Sequence, residues 1–277
     1  MNITTLATNQ SRGQIWLAAL AGTAQSADGS KSVLWADAEL AGDMVRFIAV
    51  VPDPDNHFPR ARHGEVGLEQ GWALAQLVRD SIGLTTVSGK PQPIVALVDV
   101  IGQAYGRREE LMGIHIACAA AANAYADARM AGHPVIALIV GQAMSGAFLA
   151  HGYQANRLLA LDAPGVLIHA MGQAAAARIT RRTVAELAEL GKRIAPMSYA
   201  VEDYAKLGLL ETLIKGVDAD APQDVDVDTV RLALIDALMT IAARGVCDLS
   251  PRWTSKQAVI TRAASIEVRR RLAEQWA

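Results

Sequence analysis

Val135-Ile136-Ala137-Leu138-Ile139-Val140, followed at once by Gly141-Gln142-Ala143-Met144-Ser145-Gly146-Ala147-Phe148, decides the class of fold. Six aliphatic residues with no polar alternation read as a strand buried on both faces. The small residues after them read as a turn over Gly141–Ser145, and the next stretch as a short helix over Gly146–Asn156. Upstream, Pro93 precedes a second aliphatic run, Ile94–Val98, then a loop, Asp99–Arg108, and a long helix, Glu109–Met130. Downstream come short strands at Arg157–Leu161 and Gly165–Ala170. Strand, loop, helix and strand at this spacing make crossover units with parallel strands, hence an α/β fold. From Met130 to Asn156 there is no Asp, Glu, Lys or Arg. Gly132-His133-Pro134, Gly141-Gln142 and His151-Gly152 nevertheless cut that stretch into pieces far shorter than the ~20 residues of a membrane span.

Further out the pattern is consistent with one domain over residues 1–277, with a core at about 33–214 and a helical section at 229–277. Val33–Ala38 and Met44–Val51 read as an antiparallel pair joined through Glu39–Asp43, the second strand buried. A loop through Pro52–Gly64 leads to a helix at Leu68–Ile82, with Leu68, Trp72, Ala75 and Val78 on its apolar face. Met1–Ala27 is of mixed character, helix or arm. Thr183 with Glu186 makes a capping box for a helix reaching Ile194. Ser198–Leu207 is helical, and Gly208 supplies a left-handed stop before a strand at Leu210–Ile214. Asp218–Asp228 reads as an acidic loop, and Ser265–Trp276 as an amphipathic helix, solvated or facing a partner.

At 277 residues the chain is near the upper size for one hydrophobic core. Hydrophobic residues make up 52% of it and aromatics only 5%, so alanine and small aliphatics carry the packing. A net charge of −2 offers nothing to attract nucleic acid or an anionic membrane. An Ala-rich, weakly charged exterior points to a subunit interface. Cys118 and Cys247 have no metal or redox spacing; Cys118, in the apolar run Ile116–Ala122, reads as a buried inert thiol. Met1–Gln10 lacks the pattern of a secretory leader, and a reducing, cytoplasmic location is expected.

Side-chain chemistry is sparse. There is no nucleophile elbow and no phosphate-binding Gly-x-x-x-x-Gly-Lys loop. The six histidines are not paired at metal-ligand spacing, so no metal site is expected. His115 reads as a structural residue within a helix. His63, in the Arg-rich loop Arg60–Gly64, is the better functional candidate. Asp99, at the carboxyl end of a buried strand, is either a functional group or a cap. What remains is backbone: small residues at Ser145, Gly146 and Ala147 leave N–H groups at a helix start open to an anion. The loop Asp99–Gly106 after the other buried strand is similarly permissive, and convergence of the two loops would define a site.

The run Leu97-Val98-Asp99-Val100-Ile101-Gly102, the Ala-rich helix, Gly132-His133-Pro134, the turn Ala143-Met144-Ser145-Gly146-Ala147, and then Ala170-Met171-Gly172 and Asp203–Leu210 resemble the carboxyltransferase branch of the crotonase superfamily. The resemblance covers about Val33 to Ile214. Within that branch, the length, the turn and Ile179-Thr180-Arg181-Arg182 are most similar to the gamma-subunit family of malonate decarboxylases. The resemblance implies a crotonase-like superhelix of ββα units and thioester chemistry at a backbone oxyanion hole. It implies a homologous beta subunit, with the active site between the two chains, and an alpha subunit acting as acyl-carrier transferase. The substrate it implies is a malonyl group on an acyl carrier subunit, attached to a phosphopantetheine-type arm derived from dephospho-coenzyme A. No cofactor is expected on this chain itself. Carried onto this sequence, the catalytic residues are Ser145, Gly146 and Ala147, with Gly146 and Ala147 N–H as donors. Gly102, Met144, Met171 and Gly172 bind substrate. Two departures stand out: Ser145 replaces a glycine, and Val100-Ile101 replace Thr-Pro.

Loss of carbon dioxide from a malonyl thioester leaves an enolate, and preorganised donors on its oxygen lower the barrier by ~2.7–4 kcal/mol each. Two alternatives stay open. The same fold could pass the carboxyl group to biotin on another chain, since neither Lys192 nor Lys256 has the neighbours of a biotinyl-lysine. The chain could also be a scaffold that completes a partner's site.

Overall fold

The computed structural model describes residues 10–245 and 248–276. Met1–Asn9 and Cys247, on which the sequence reading also touched, lie outside them. Helix α1 (Arg12–Ala21) starts at Ser11, whose side chain accepts the Gln14 N–H in a capping box, so the first helix of the "helix or arm" stretch is genuine. Strand β1 (Gln25–Ala27) follows, then β2 (Ser30–Leu40) and β3 (Asp43–Val50). The β2–β3 hairpin turns through Ala41 and Gly42, both at positive φ (55° and 85°), the geometry that matches strand twist. Helix α2 (Leu68–Ser81) returns the chain to β4 (Ile94–Val100). Helices α3 (Arg107–Leu111) and α4 (Ile114–Met130) lead to β5 (Val135–Met144).

Next come α5 (Ser145–Ala150), β6 (Arg157–Leu161), β7 (Leu167–His169), α6 (Gln173–Thr180), α7 (Val184–Gly191), α8 (Val201–Lys206) and β8 (Thr212–Ile214). Helix α9 (Asp224–Arg244) and α10 (Pro251–Thr254), α11 (Lys256–Thr261) and α12 (Ala263–Gln275) close the described chain. The sheet order is β1-β2-β3-β4-β5-β6-β8, antiparallel through β3 and parallel beyond it. A second ladder of short pairs runs along the strand ends. Val66 bridges Gln103, Val100 pairs with Ala143, Gln142–Met144 pair with Leu167–His169, and Leu167 bridges Ala200. Two ladders stepped together by successive strand–strand–helix units give the expected superhelix of ββα units.

Several boundaries differ from the sequence reading. Strand β5 continues to Met144 because its far end pairs in the second ladder, whereas Val140 was the expected end. Helix α5 stops at Ala150, not Asn156. Gly152 turns there at φ 105°, and a Cβ on it would lie 2.8 Å from Val98 Cγ2. The helix expected over Glu109–Met130 is two, parted at Gly113, which is left-handed (φ 82°). Trp72 is 49% exposed; α2 instead turns Gly71 inward, where a Cβ would meet the carbonyl carbon of Ala117 at 2.7 Å. The acidic stretch is loop only to Gln223, which caps α9, so the helical section begins before residue 229. The Thr183–Glu186 capping box is present, with Glu186 N–H to Thr183 Oγ1 at 3.1 Å, although its helix ends at Gly191.

The main core also extends beyond 33–214. Trp16, Leu17 and Leu20 of α1 and Val230, Leu234 and Ile241 of α9 cover the sheet. Strand residues Ile94–Val98 and Val135–Val140 are wholly buried, and each such aliphatic side chain contributes roughly 1.5–3 kcal/mol.

Candidate active site

Two adjacent parallel strands, β4 and β5, end side by side, so the segments that follow them are neighbours. Asp99 fixes their spacing. Its Oδ1 accepts the Gln142 N–H at 3.2 Å and its Oδ2 the Gly13 N–H at 3.3 Å, tying α1 and the exit of β5 to β4. Gly141 is required beneath it, because a Cβ there would sit 2.0 Å from Asp99 Oδ1. Of the two roles open to Asp99, the structure assigns the cap.

Beyond this bracket the chain reaches Ser145, whose φ of 58° lies in the left-handed region that non-glycine residues avoid. The departure from glycine at this place therefore keeps the glycine backbone, at a cost of about 1–3 kcal/mol. Such strain gathers where a backbone is held for a purpose. Gly146 and Ala147, as the second and third residues of α5, have no acceptor four residues back within the helix. Among the described residues no loop, turn or cap bond takes either N–H.

A cavity of about 460 Å³ opens over this turn. Gly102, Met144, Ser145, Met171 and Gly172 line it together, so the Asp99–Gly106 loop and the β5 turn do converge. Arg60, His63, Glu65, Gln103 and Tyr105 complete much of its wall. Gly146 lines an adjoining cavity of about 340 Å³, with Ser145 shared between the two. Ala147, expected as an open donor, is instead fully buried behind them and lines neither cavity, because the first turn of α5 packs against the core. The floor around Met171 is stiffened by an aromatic pair. His169 stacks on Tyr199 at 3.9 Å, Tyr199 Oη donates to Met171 O at 2.7 Å, and Met171 N–H donates to His169 Nδ1 at 3.2 Å. Burial lowers the pKa of His169, against the opposing effect of its contact with the Met171 backbone.

His63 stands at the rim beside Glu65, its Nδ1 3.7 Å from Oε1. His115 is exposed on α4, not packed as a structural residue: the apolar face of that helix is Ile114, Ala117 and Ala121, out of step with position 115. Cys118 is half-buried, and burial, helped by Glu110, pushes its thiol up to about 11, leaving it protonated and unreactive at neutral pH. No group of three or more candidate metal ligands occurs among the described residues. No described helix is long and apolar enough to cross a membrane. Gln103 and Arg60 were not singled out from sequence. An amide and a loop arginine carry no local signature, and the available hint was their place in the two Gly-flanked loops.

The family model for malonate decarboxylase gamma subunits matches residues 61–276. The chain belongs to that family. A crystal structure of a Pseudomonas malonate decarboxylase hetero-tetramer in complex with coenzyme A contains a chain that is 52% identical. The match has a TM-score of 0.89 and covers 96% of this chain and 100% of that one. The malonyl-S-ACP:biotin-protein carboxyltransferase of Malonomonas rubra is 32% identical over 203 residues, 72% of this chain. The chain spans 65% of that relative's length, just under two thirds. Transcarboxylase 12S, solved with methylmalonyl-coenzyme A, shares the fold at 22% identity and TM-score 0.63, over 84% of this chain and 42% of its own. Membership in the gamma-subunit family and the fold shared with transcarboxylase make the architecture crotonase-like, as expected.

Proposed function

We propose that this gamma-family chain, with a homologous beta subunit, decarboxylates a malonyl thioester to an acetyl thioester and carbon dioxide. The observation that carries the reading is the convergence of the Gly102 loop, the strained Ser145 turn and Met171-Gly172 on one cavity beside unengaged backbone donors. The thioester oxygen is held at the Ser145–Ala147 turn, with the Gly146 N–H donating and Ala147, buried behind it, fixing the turn. Met144, Gly102, Met171 and Gly172 hold the rest of the acyl group. As the C–C bond breaks, negative charge grows on that oxygen, and fixed donors stabilise it without reorganising. The malonyl group arrives on the phosphopantetheine-type, dephospho-coenzyme A-derived arm of an acyl carrier subunit, loaded by an alpha-subunit transferase. The hetero-tetrameric Pseudomonas relative and its coenzyme A support the assembly and the thioester chemistry. Work in the cytoplasm is consistent with this substrate.

A second reading is favoured by the Malonomonas relative: transfer of the carboxyl group to biotin on another protein. Avidin separates the two, since it stops the transferase and leaves the decarboxylase running. The first experiment is carbon dioxide release from a malonyl thioester by this chain, by its partner and by both. Release by the mixture alone is expected. Full release by the partner alone makes this chain a scaffold. Gly146→Val in the mixture then tests the turn. The backbone at 146 suits a side chain, and the three atoms nearest a Cβ there all belong to the Gln103 side chain, whose end can swing away, so the variant should fold. The N–H remains, but a branched side chain beside it crowds the oxygen off the donor, so kcat should fall, at most by about the hundredfold or more that loss of one such donor costs.

A further inference from the structure

Gln103 stands where the two loops meet, and decarboxylation as described above gives it no role. Its Oε1 lies 2.2 Å from where a Cβ on residue 146 would be, so the carboxamide occupies space that only glycine leaves open. Its backbone is held firmly: Val66 bridges Gln103, Ala104 N–H donates to Val66 O at 2.8 Å, and Val66 N–H donates to Gly102 O at 3.0 Å. The carboxamide has no hydrogen-bond partner among the described residues, and it lines the cavity beside Met144 and Ser145. A half-buried amide without a partner, carried on a rigid ladder, offers an acceptor and a donor, and with Oε1 against Gly146 it is Nε2 that can donate to a ligand.

We propose that Gln103 is a specificity-determining residue that holds the free carboxylate of the malonyl group, so that malonyl rather than acetyl thioester is retained over the turn. The inference rests on the reading of the turn as the thioester-oxygen site. In the reaction the bond between the α-carbon and the carboxylate breaks. Its electron pair passes to the α-carbon and the thioester oxygen, carbon dioxide leaves, and water supplies the proton that completes the acetyl group. The carboxylate charge vanishes from its own oxygens in that step. A cation on the carboxylate would therefore stabilise the ground state more than the transition state. A neutral amide orients the group with a smaller penalty. Arg60 lies over Gly106, its Nε 2.8 Å from the position of a Cβ there and beside Glu109, while His63 faces Glu65.

The test uses the complex with the partner subunit, with malonyl-pantetheine as substrate and acetyl-pantetheine as competitive inhibitor. Gln103→Leu should raise the ratio of malonyl KM to acetyl Ki at least tenfold while the acetyl Ki stays within twofold. Gln103→Glu should raise the ratio further by charge repulsion, and Gln103→Asn should restore part of it. Gly146→Ala, which displaces the carboxamide but keeps the N–H, should reproduce the Gln103→Leu ratio, with little further change in the double variant. An unchanged ratio in Gln103→Leu and Gln103→Glu overturns the proposal and leaves the turn intact. So does a fall in kcat alone. If the wild-type complex releases no carbon dioxide, the functional reading and this proposal fall together.

Discussion

Gly141→Ala puts a methyl group 2.0 Å from Asp99 Oδ1, 2.5 Å from its Cγ and 3.1 Å from its Cβ. The backbones cannot separate to make room, because β4 and β5 are paired on both sides of the contact, at Val98–Ile139 and Val100–Ala143. The Asp99 side chain must rotate away and give up the N–H groups of Gln142 and Gly13. A hydrogen bond to a charged group contributes about 1.5–3 kcal/mol. Both bonds are long and only partly buried, so the lower figure applies to each and the expected loss is roughly 3 kcal/mol. Urea unfolding followed by far-ultraviolet circular dichroism measures it. Asp99→Ala should cost a similar amount. Because the two changes remove the same bonds, the double variant should be little worse than either alone. Gly141→Ala within about 0.5 kcal/mol of wild type, or losses that simply add, would refute the bracket.

Ser145→Gly relieves the left-handed strain at φ 58° and should stabilise the fold by about 1 kcal/mol, with decarboxylation retained; a lowered urea midpoint contradicts this. Gly71→Ala forces a Cβ to within 2.7 Å of the Ala117 backbone, which cannot yield as a side chain could, and should cost about 1–3 kcal/mol. Thermal denaturation would show the loss. His151 is fully buried, its Nε2 on Leu97 O at 3.0 Å and its Nδ1 on Tyr125 Oη at 2.9 Å, and burial lowers its pKa from 6.5 to about 4. The unfolded chain therefore binds the proton first. Stability from this group is complete above pH 6.5 and is lost as pH falls toward 4, by roughly 3 kcal/mol in all. Urea midpoints across that range should slope downward with acid, and His151→Phe should flatten the slope whatever its effect at neutral pH.

Much of the fold was legible along the chain because its signals are local. Unbroken aliphatic runs at Ile94–Val98 and Val135–Val140 read as buried strands since a strand buried on both faces tolerates no polar alternation. The Thr183–Glu186 box was readable because its two bonds span three residues. Two of the misreadings come from contacts made by distant residues. Val140 was not the end of β5, because Leu167–His169 extends the ladder from across the fold. Trp72 was placed inward because the helical period cannot tell a tryptophan from the glycine at 71 until Ala117 presses against that glycine.

The site divides the same way. The order of strand, small-residue turn and helix pointed by itself to the candidate turn Ser145–Ala147, since only small residues can leave backbone N–H groups uncovered, but not to which of them the fold would bury, as it does Ala147. The tertiary structure alone decided that Asp99 clasps Gly13 and Gln142, 86 and 43 residues away, and that Gln103 lies over Gly146. A hydrogen bond or a van der Waals contact depends on position in space, and nothing in the chemistry of Asp99 or Gln103 encodes which distant backbone the folded sheet will bring within reach.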